Sequence, residues 1–170
     1  MTKKIAVVGI DPGKTGALCL LIPETKQIAF KDTTDTALNL LKWFQQIDKE
    51  YNLIVCMIED VSSIPGSSAK ANFSFGANVE RVHVIPEVAE ISIDVVRPKV
   101  WQKFIGLTVP KHLKGEANKA KRKTFIKQTV ADIGLRLYPK AELHGPKGGL
   151  KDGRSDALMI AHYAARTINI

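Results

Sequence analysis

Four acidic residues, far apart along the chain, are of a type that acts in concert: Asp11 in Gly-Ile-Asp-Pro-Gly-Lys-Thr-Gly (9–16), Glu59 in Ile-Glu-Asp-Val (58–61), and Asp152 and Asp156 in Asp-Gly-Arg-Ser-Asp-Ala-Leu (152–158). Carboxylates gathered at one spot repel one another and take up protons unless a cation neutralises them. An all-oxygen set suits the hard ions Mg²⁺ or Mn²⁺, which keep positions open for phosphate oxygens and water. Two such ions serve phosphodiester hydrolysis, one activating the attacking water and the other stabilising the leaving 3′-oxygen. Competing chemistries are poorly provided for. His83, His112, His144 and His162 are scattered, there is no Ser/His/Asp grouping, and Gly-Pro-Lys-Gly-Gly at 145–149 lacks the Walker pattern. Cys19 and Cys56 lie among apolar neighbours and read as small buried residues.

Predicted elements bring the acids together. The apolar run Ile5 to Ile10 reads as a buried strand that delivers Asp11 and turns at Pro12-Gly13, although Asp-Pro-Gly is also ordinary turn chemistry. Ala17 to Ile22 and Gln27 to Lys31 continue an antiparallel meander. Asp35 is expected to cap a helix with Ala37, Leu38, Leu40, Leu41, Phe44 and Ile47 on one face. Leu53 to Ile58, apolar and β-branched, reads as a strand buried on both faces and parallel to the first, so Glu59 falls about 5 Å from Asp11. A loop over 61–68, a helix over 69–84, a strand over 91–96 and a short helix opened by Pro98 follow. A mobile basic loop is expected over 106–118, then a helix from Lys119 to Ile133 stopped by Gly134. The last helix starts at Asp152. Residues 152 and 156 lie about 40° apart around its axis and can face one point, with N-capping as the competing role for Asp152. The fold class is α/β: a mixed sheet of a meander plus parallel strands, with helices on both faces.

The length of 170 residues suits one domain, 1–170. No apolar run reaches the roughly 20 residues that span a bilayer, and the N-terminus lacks a secretory pattern, so the cytoplasm is the expected location. The net charge of +8 is unevenly spread. From Arg97 to Lys127 there are ten Lys or Arg against one acid, Glu116, a local +9. Such a field suits a polyanion, most commonly nucleic acid; the plainer alternative is a solvated basic loop.

The three acidic motifs resemble, in type, order and spacing, those of the RuvC family of Holliday junction resolvases, and together they span almost the whole chain. The resemblance implies a ribonuclease H-like fold with a five-stranded sheet, a homodimer, and Mg²⁺- or Mn²⁺-dependent nicking of opposing strands at a four-way DNA junction. It carries the catalytic and metal-binding roles onto Asp11, Glu59, Asp156 and Asp152. The family usually spaces the last two acids by three residues; the gap of four here leaves Asp60 as the alternative to Asp152. The family's stacking aromatic has no counterpart at Ser62 or Ser63; Phe73 and Phe75 are the substitutes, with burial on a helix face as their other reading. Arg97, Lys99, Lys103, Lys119, Lys121, Arg122 and Lys123 correspond to basic DNA-binding positions. The long insertion before the Lys119 helix favours a structure-selective enzyme for branched DNA, as in phage-encoded members.

Three other classes share some of these features. Actin-like ATPases have a similar glycine hairpin but need two such domains. A ribonuclease H acting on RNA–DNA hybrids would share the sheet and the acids. A non-catalytic nucleic-acid binder would use the basic window alone. The two-fold symmetry of a junction calls for paired active sites, and the 69–84 helix is the candidate interface.

Overall fold

The first strand up to Ile10, and the second throughout, are apolar because both faces of the sheet they enter are covered. The computed structural model describes residues 2–61, 66 and 68–168. β1 (Ile5–Asp11), β2 (Ala17–Ile22) and β3 (Gln27–Asp32) form the meander. β4 (Asn52–Glu59) and β5 (Ile93–Val96) add in parallel, giving the order β3-β2-β1-β4-β5. The period-two alternation of strands then sorts side chains to two cores. Ala6, Val8, Ile10, Cys56 and Ile58 pack beneath Leu40, Phe44 and Ile47 of α1 (Ala37–Glu50) and Val82 and Ile85 of α2 (Ala69–Val88). On the other face Val7, Cys19, Val55 and Met57 meet Trp101 of α3 (Pro98–Phe104), Val130 and Ala131 of α4 (Lys119–Leu137), and Ala157, Ala161 and Ala164 of α5 (Asp152–Thr167).

Two glycines let α5 lie directly on the sheet. A Cβ at Gly9 would stand 2.3 Å from both the Ala157 carbonyl oxygen and the Ala161 nitrogen. A Cβ at Gly153 would stand 2.3 Å from the Thr15 carbonyl oxygen, where Gly153 bridges to Gly16. Helix and hairpin therefore touch backbone to backbone.

Several boundaries differ from the sequence expectations. The N-cap of α1 is Thr36, whose hydroxyl accepts from Asn39 N at 3.2 Å; Asp35 instead accepts from Thr36 N and the Asn39 side chain. α2 runs on through Pro86 to Val88, because a proline in the last turn removes a single helical donor. Gly134 does not stop α4. It is buried inside the helix, where a Cβ would press on Leu143, so its smallness serves packing against the α4–α5 connection. The segment 106–118 is also more ordered than a mobile loop: it holds 3₁₀ turns at Lys111–Leu113 and Glu116–Asn118. Arg122 Nη1 fastens it by donating to the carbonyls of Leu113 (3.3 Å) and Gly115 (2.9 Å). Most of 61–68, with Ser62 and Ser63, lies outside the described residues. Among the described residues no helix is long and apolar enough to cross a membrane.

Candidate active site

Strand register and helix phase bring the four acids to one end of the sheet. β1 and β4 pair in register up to Ile10 and Ile58, so Asp11 and Glu59 stand side by side one step further on. Both continue the alternate set Val7, Gly9 and Val55, Met57, which faces α5. Asp156 follows from the seat of α5, since its neighbour Ala157 is fixed against Gly9. Asp152 lies one turn earlier, beside the hairpin that Gly153 touches.

Their ionisation shows mutual influence. Burial, reinforced by the charge of Asp11, pushes Glu59 up to about 7, against the pull of a hydrogen bond from Trp101. That bond runs from Trp101 Nε1 to Glu59 Oε1 at 2.8 Å. Asp11 is raised by burial and by Asp152, and held down by the Gly13 N–H, which donates to its Oδ1 at 3.0 Å, and by Lys127. Asp156 lies well above the usual carboxylate range, first through burial and then through the charges of Asp11, Glu59 and Asp152; Lys127 opposes them. Four acids thus share one electrostatic site, with Lys127 as its internal counter-ion.

Lys127 pairs directly with Asp152. Asp152 accordingly does not act as the helix cap: Lys151 occupies the cap position of α5 and no side chain caps it. Asp60 points elsewhere, its carboxylate 3.7 Å from Arg97 Nε and its N–H bonded to Val96 O at 2.8 Å. Among the described residues no three His, Cys, Asp or Glu side chains close on a single point. The donor chemistry nevertheless fits a hard divalent ion: every candidate ligand is a carboxylate, and three of the four have raised proton affinity through burial and the charges of neighbouring acids, which a cation would offset.

Two side chains that touch the candidate acids escape inspection of the sequence. Lys127 sits in the basic window, but its position is set by helix phase: it extends the buried stripe Val130, Ala131 and Gly134 towards the start of α4. A cation on the packing face of a helix was the available signal. Trp101 reads as core, and it is fully buried, yet its one polar atom is committed to Glu59.

Arg97 and Lys99 border this end of the sheet, directly after Val96, which pairs with Glu59. Arg97 and Lys99 open α3 and are exposed, as is Lys103. They line, with Asp60, Val61, Phe75, Pro98 and Val100, a hollow of about 810 Å³; Lys103 is outside it. Lys119, Lys121 and Lys123 are exposed on the first turns of α4, Lys119 within 3.3 Å of Glu116. Arg122 is turned inward to hold the 106–118 segment and is not among the free cations. Phe73 is 80% exposed and Phe75 half-buried, so helix-face burial does not describe Phe73.

No protein-family model matches the sequence, and no curated protein matches it significantly. Among solved structures the chain is similar to Thermus thermophilus RuvC in complex with a Holliday junction substrate, with 15% identity, 96% of each chain covered and a TM-score of 0.57. It is also similar to a second Thermus thermophilus RuvC structure, with 17% identity, 94% of this chain and 95% of that one covered, and a TM-score of 0.54. At these identities the likeness is one of fold. The five-stranded mixed sheet flanked by helices is the ribonuclease H-like fold.

Proposed function

We propose that this chain is a divalent-metal-dependent endonuclease that nicks opposing strands of four-way and other branched DNA junctions as a homodimer in the cytoplasm. The observation that carries the reading is the electrostatic union of Asp11, Glu59, Asp152 and Asp156 at the rim of a ribonuclease H-like sheet, beside a segment of local charge +9. The similarity in fold to a RuvC solved with a Holliday junction substrate supports the substrate class. The four carboxylates would hold Mg²⁺, or Mn²⁺ in its place, as a pair of ions that activate water and stabilise the leaving oxygen. The chain's own part is to set the acids on rigid backbone, to keep Glu59 in place through Trp101, and to supply positive charge near the scissile phosphate from Lys127 and the start of α4. Arg97, Lys99, Lys103, Lys119, Lys121 and Lys123 would grip the phosphates of the arms, and Phe73 and Phe75 would meet unstacked bases.

The test is cleavage of a labelled immobile four-way junction, a linear duplex and an RNA–DNA hybrid, with Mg²⁺, Mn²⁺ or EDTA, by the native protein and Asp11→Asn. Paired metal-dependent nicks confined to the junction and absent from the variant are expected. Binding without cleavage under any metal would favour the non-catalytic binder, and cleavage of the hybrid alone would favour a ribonuclease H. Sedimentation that shows only monomer, with and without junction, would remove the dimer.

A further inference from the structure

Helix α2 lies on the face of the sheet opposite α5, yet it reaches the acidic site through a chain of hydrogen bonds. The Asn78 amide nitrogen donates to the carbonyl oxygens of Pro12 (2.7 Å) and Gly13 (3.1 Å). The orientation of that amide is fixed, because its oxygen accepts from Arg81 Nη2 at 2.9 Å. Arg81 in turn donates to the carbonyls of Asp35 (2.7 Å) and Thr33. Thr33, fully buried, returns to the same turn, its hydroxyl lying 2.8 Å from Gly13 O and 3.1 Å from Gly16 O. Asn78 thus holds the Pro12–Gly13 peptide by its carbonyl oxygen, and the N–H of that same peptide, Gly13 N–H, donates to Asp11 Oδ1 at 3.0 Å; Thr33 shares only the next carbonyl, that of Gly13.

We infer that Asn78 and Arg81 are positioning residues: from α2 they fix the Pro12–Gly13 turn, and through the Gly13 N–H they aim the Asp11 carboxylate into the site. The inference rests on the nuclease reading for what Asp11 does, and on the geometry alone for what holds it. Core packing of α2 is a separate matter. Val82, Ile85 and Pro86 provide it on the helix's C-terminal half, while Asn78 and Arg81 sit between that core and the exposed half that carries Phe73. A partner or DNA arm that moves the outer half of α2 would therefore be felt at Asp11 through two side chains.

The deciding variant is Asn78→Asp. It keeps an acceptor for Arg81, and adds an ion pair to it, but turns an oxygen towards two carbonyls where a donor stood. Val82→Ala is the control that weakens the packing of α2 and leaves the turn untouched. Readouts are Mn²⁺ affinity by titration, amide exchange at Gly13, junction affinity in EDTA, and cleavage. Supporting side chains of this kind change metal affinity or activity about 10- to 100-fold. Asn78→Asp is expected to lose affinity for Mn²⁺ on that scale despite its added negative charge, with faster exchange at Gly13 and unchanged junction affinity. Val82→Ala is expected to lower thermal stability while holding its Mn²⁺ affinity. Equal Mn²⁺ affinity in Asn78→Asp and native protein, or equal losses in both variants, would overturn the inference. A native protein that binds no Mn²⁺ and cuts no junction would overturn the nuclease reading; Gly13 exchange would still decide the positioning role.

Discussion

Trp101 Nε1 lies 2.8 Å from Glu59 Oε1, so the largest fully buried side chain of the core spends its single polar atom on an acid of the candidate site. The bond opposes the burial that pushes Glu59 to about 7. Trp101→Phe keeps an aromatic ring, though a smaller one, and removes the donor, which raises the proton affinity of Glu59 further. A carboxylate must shed its proton to ligate a metal. The variant should therefore bind Mn²⁺ about 10-fold more weakly at pH 7, with the deficit narrowing by pH 8.5. Titrations at three pH values check this, and a deficit independent of pH would assign the loss to packing.

Metal-free protein should be more stable in mild acid than at neutrality. Glu59 has a folded-state pKa near 7 against an ordinary value of 4.5, and Asp11 and Asp156 are shifted in the same direction. The folded state thus binds protons more tightly, so stability rises as pH falls from about 7 towards 4.5. Asp32 acts oppositely. Arg154 chiefly, and Lys151, depress its pKa, and its contribution is present above 3.8 and lost as pH falls through the lower folded value. Thermal melts in EDTA from pH 3 to pH 8 should accordingly peak in mild acid.

Asp156→Asn separates stability from activity. Removing a carboxylate that burial chiefly, and three other acids in addition, disfavour should raise the melting temperature in EDTA at pH 7.5 by roughly 2–4 °C, the response to about 1 kcal/mol in a chain of this length. Cleavage should be abolished while junction binding is kept or improved. A lower melting temperature would mean that Asp156 is held by favourable contacts and not under electrostatic strain.

Gly9→Ala should cost about 3 kcal/mol, at the upper end for overpacking, because the added methyl meets backbone atoms of α5 at 2.3 Å and no side chain can rotate away. Urea denaturation measures the loss. Gly76→Ala in α2, where a Cβ meets nothing within 4 Å, should be neutral or slightly stabilising.

Junction affinity should fall steeply with salt, since phosphate binding releases counterions. Replacing Lys119, Lys121 or Lys123 singly with alanine should lower the slope of log affinity against log salt by about 1 for each residue that touches a phosphate. Arg122→Ala should instead loosen the 106–118 segment, seen as proteolysis near Gly115, because its guanidinium is occupied by backbone carbonyls.

The strands and the placement of Asp11, Glu59 and Asp156 were legible because period-two alternation and parallel register are local rules with long reach. Asp152 was legible as a member of the cluster but not as the partner of Lys127, since that pair joins two helices whose relative rotation no single segment encodes. Gly134 read as a stop because a glycine after an apolar stripe usually is one; the competing cause, close packing on Leu143, is a tertiary fact. Asn78 and Arg81 carried no pattern at all. Their partners are carbonyl groups, which every residue has, so nothing in the partner sequence marks the contact.

The glycine contact between β1 and α5 also sets how the site answers to change elsewhere. Where two backbones meet without an intervening side chain, the spacing of the backbones that carry Asp11 and Asp156 is a matter of covalent lengths and van der Waals radii, and neighbouring side-chain volumes do not enter it. Substitutions in the α1 and α2 core can then soften the molecule while that spacing stays constant. Thermal tolerance and the geometry of the acidic site become separately adjustable, one by the layer behind the sheet and the other by two residues too small to vary.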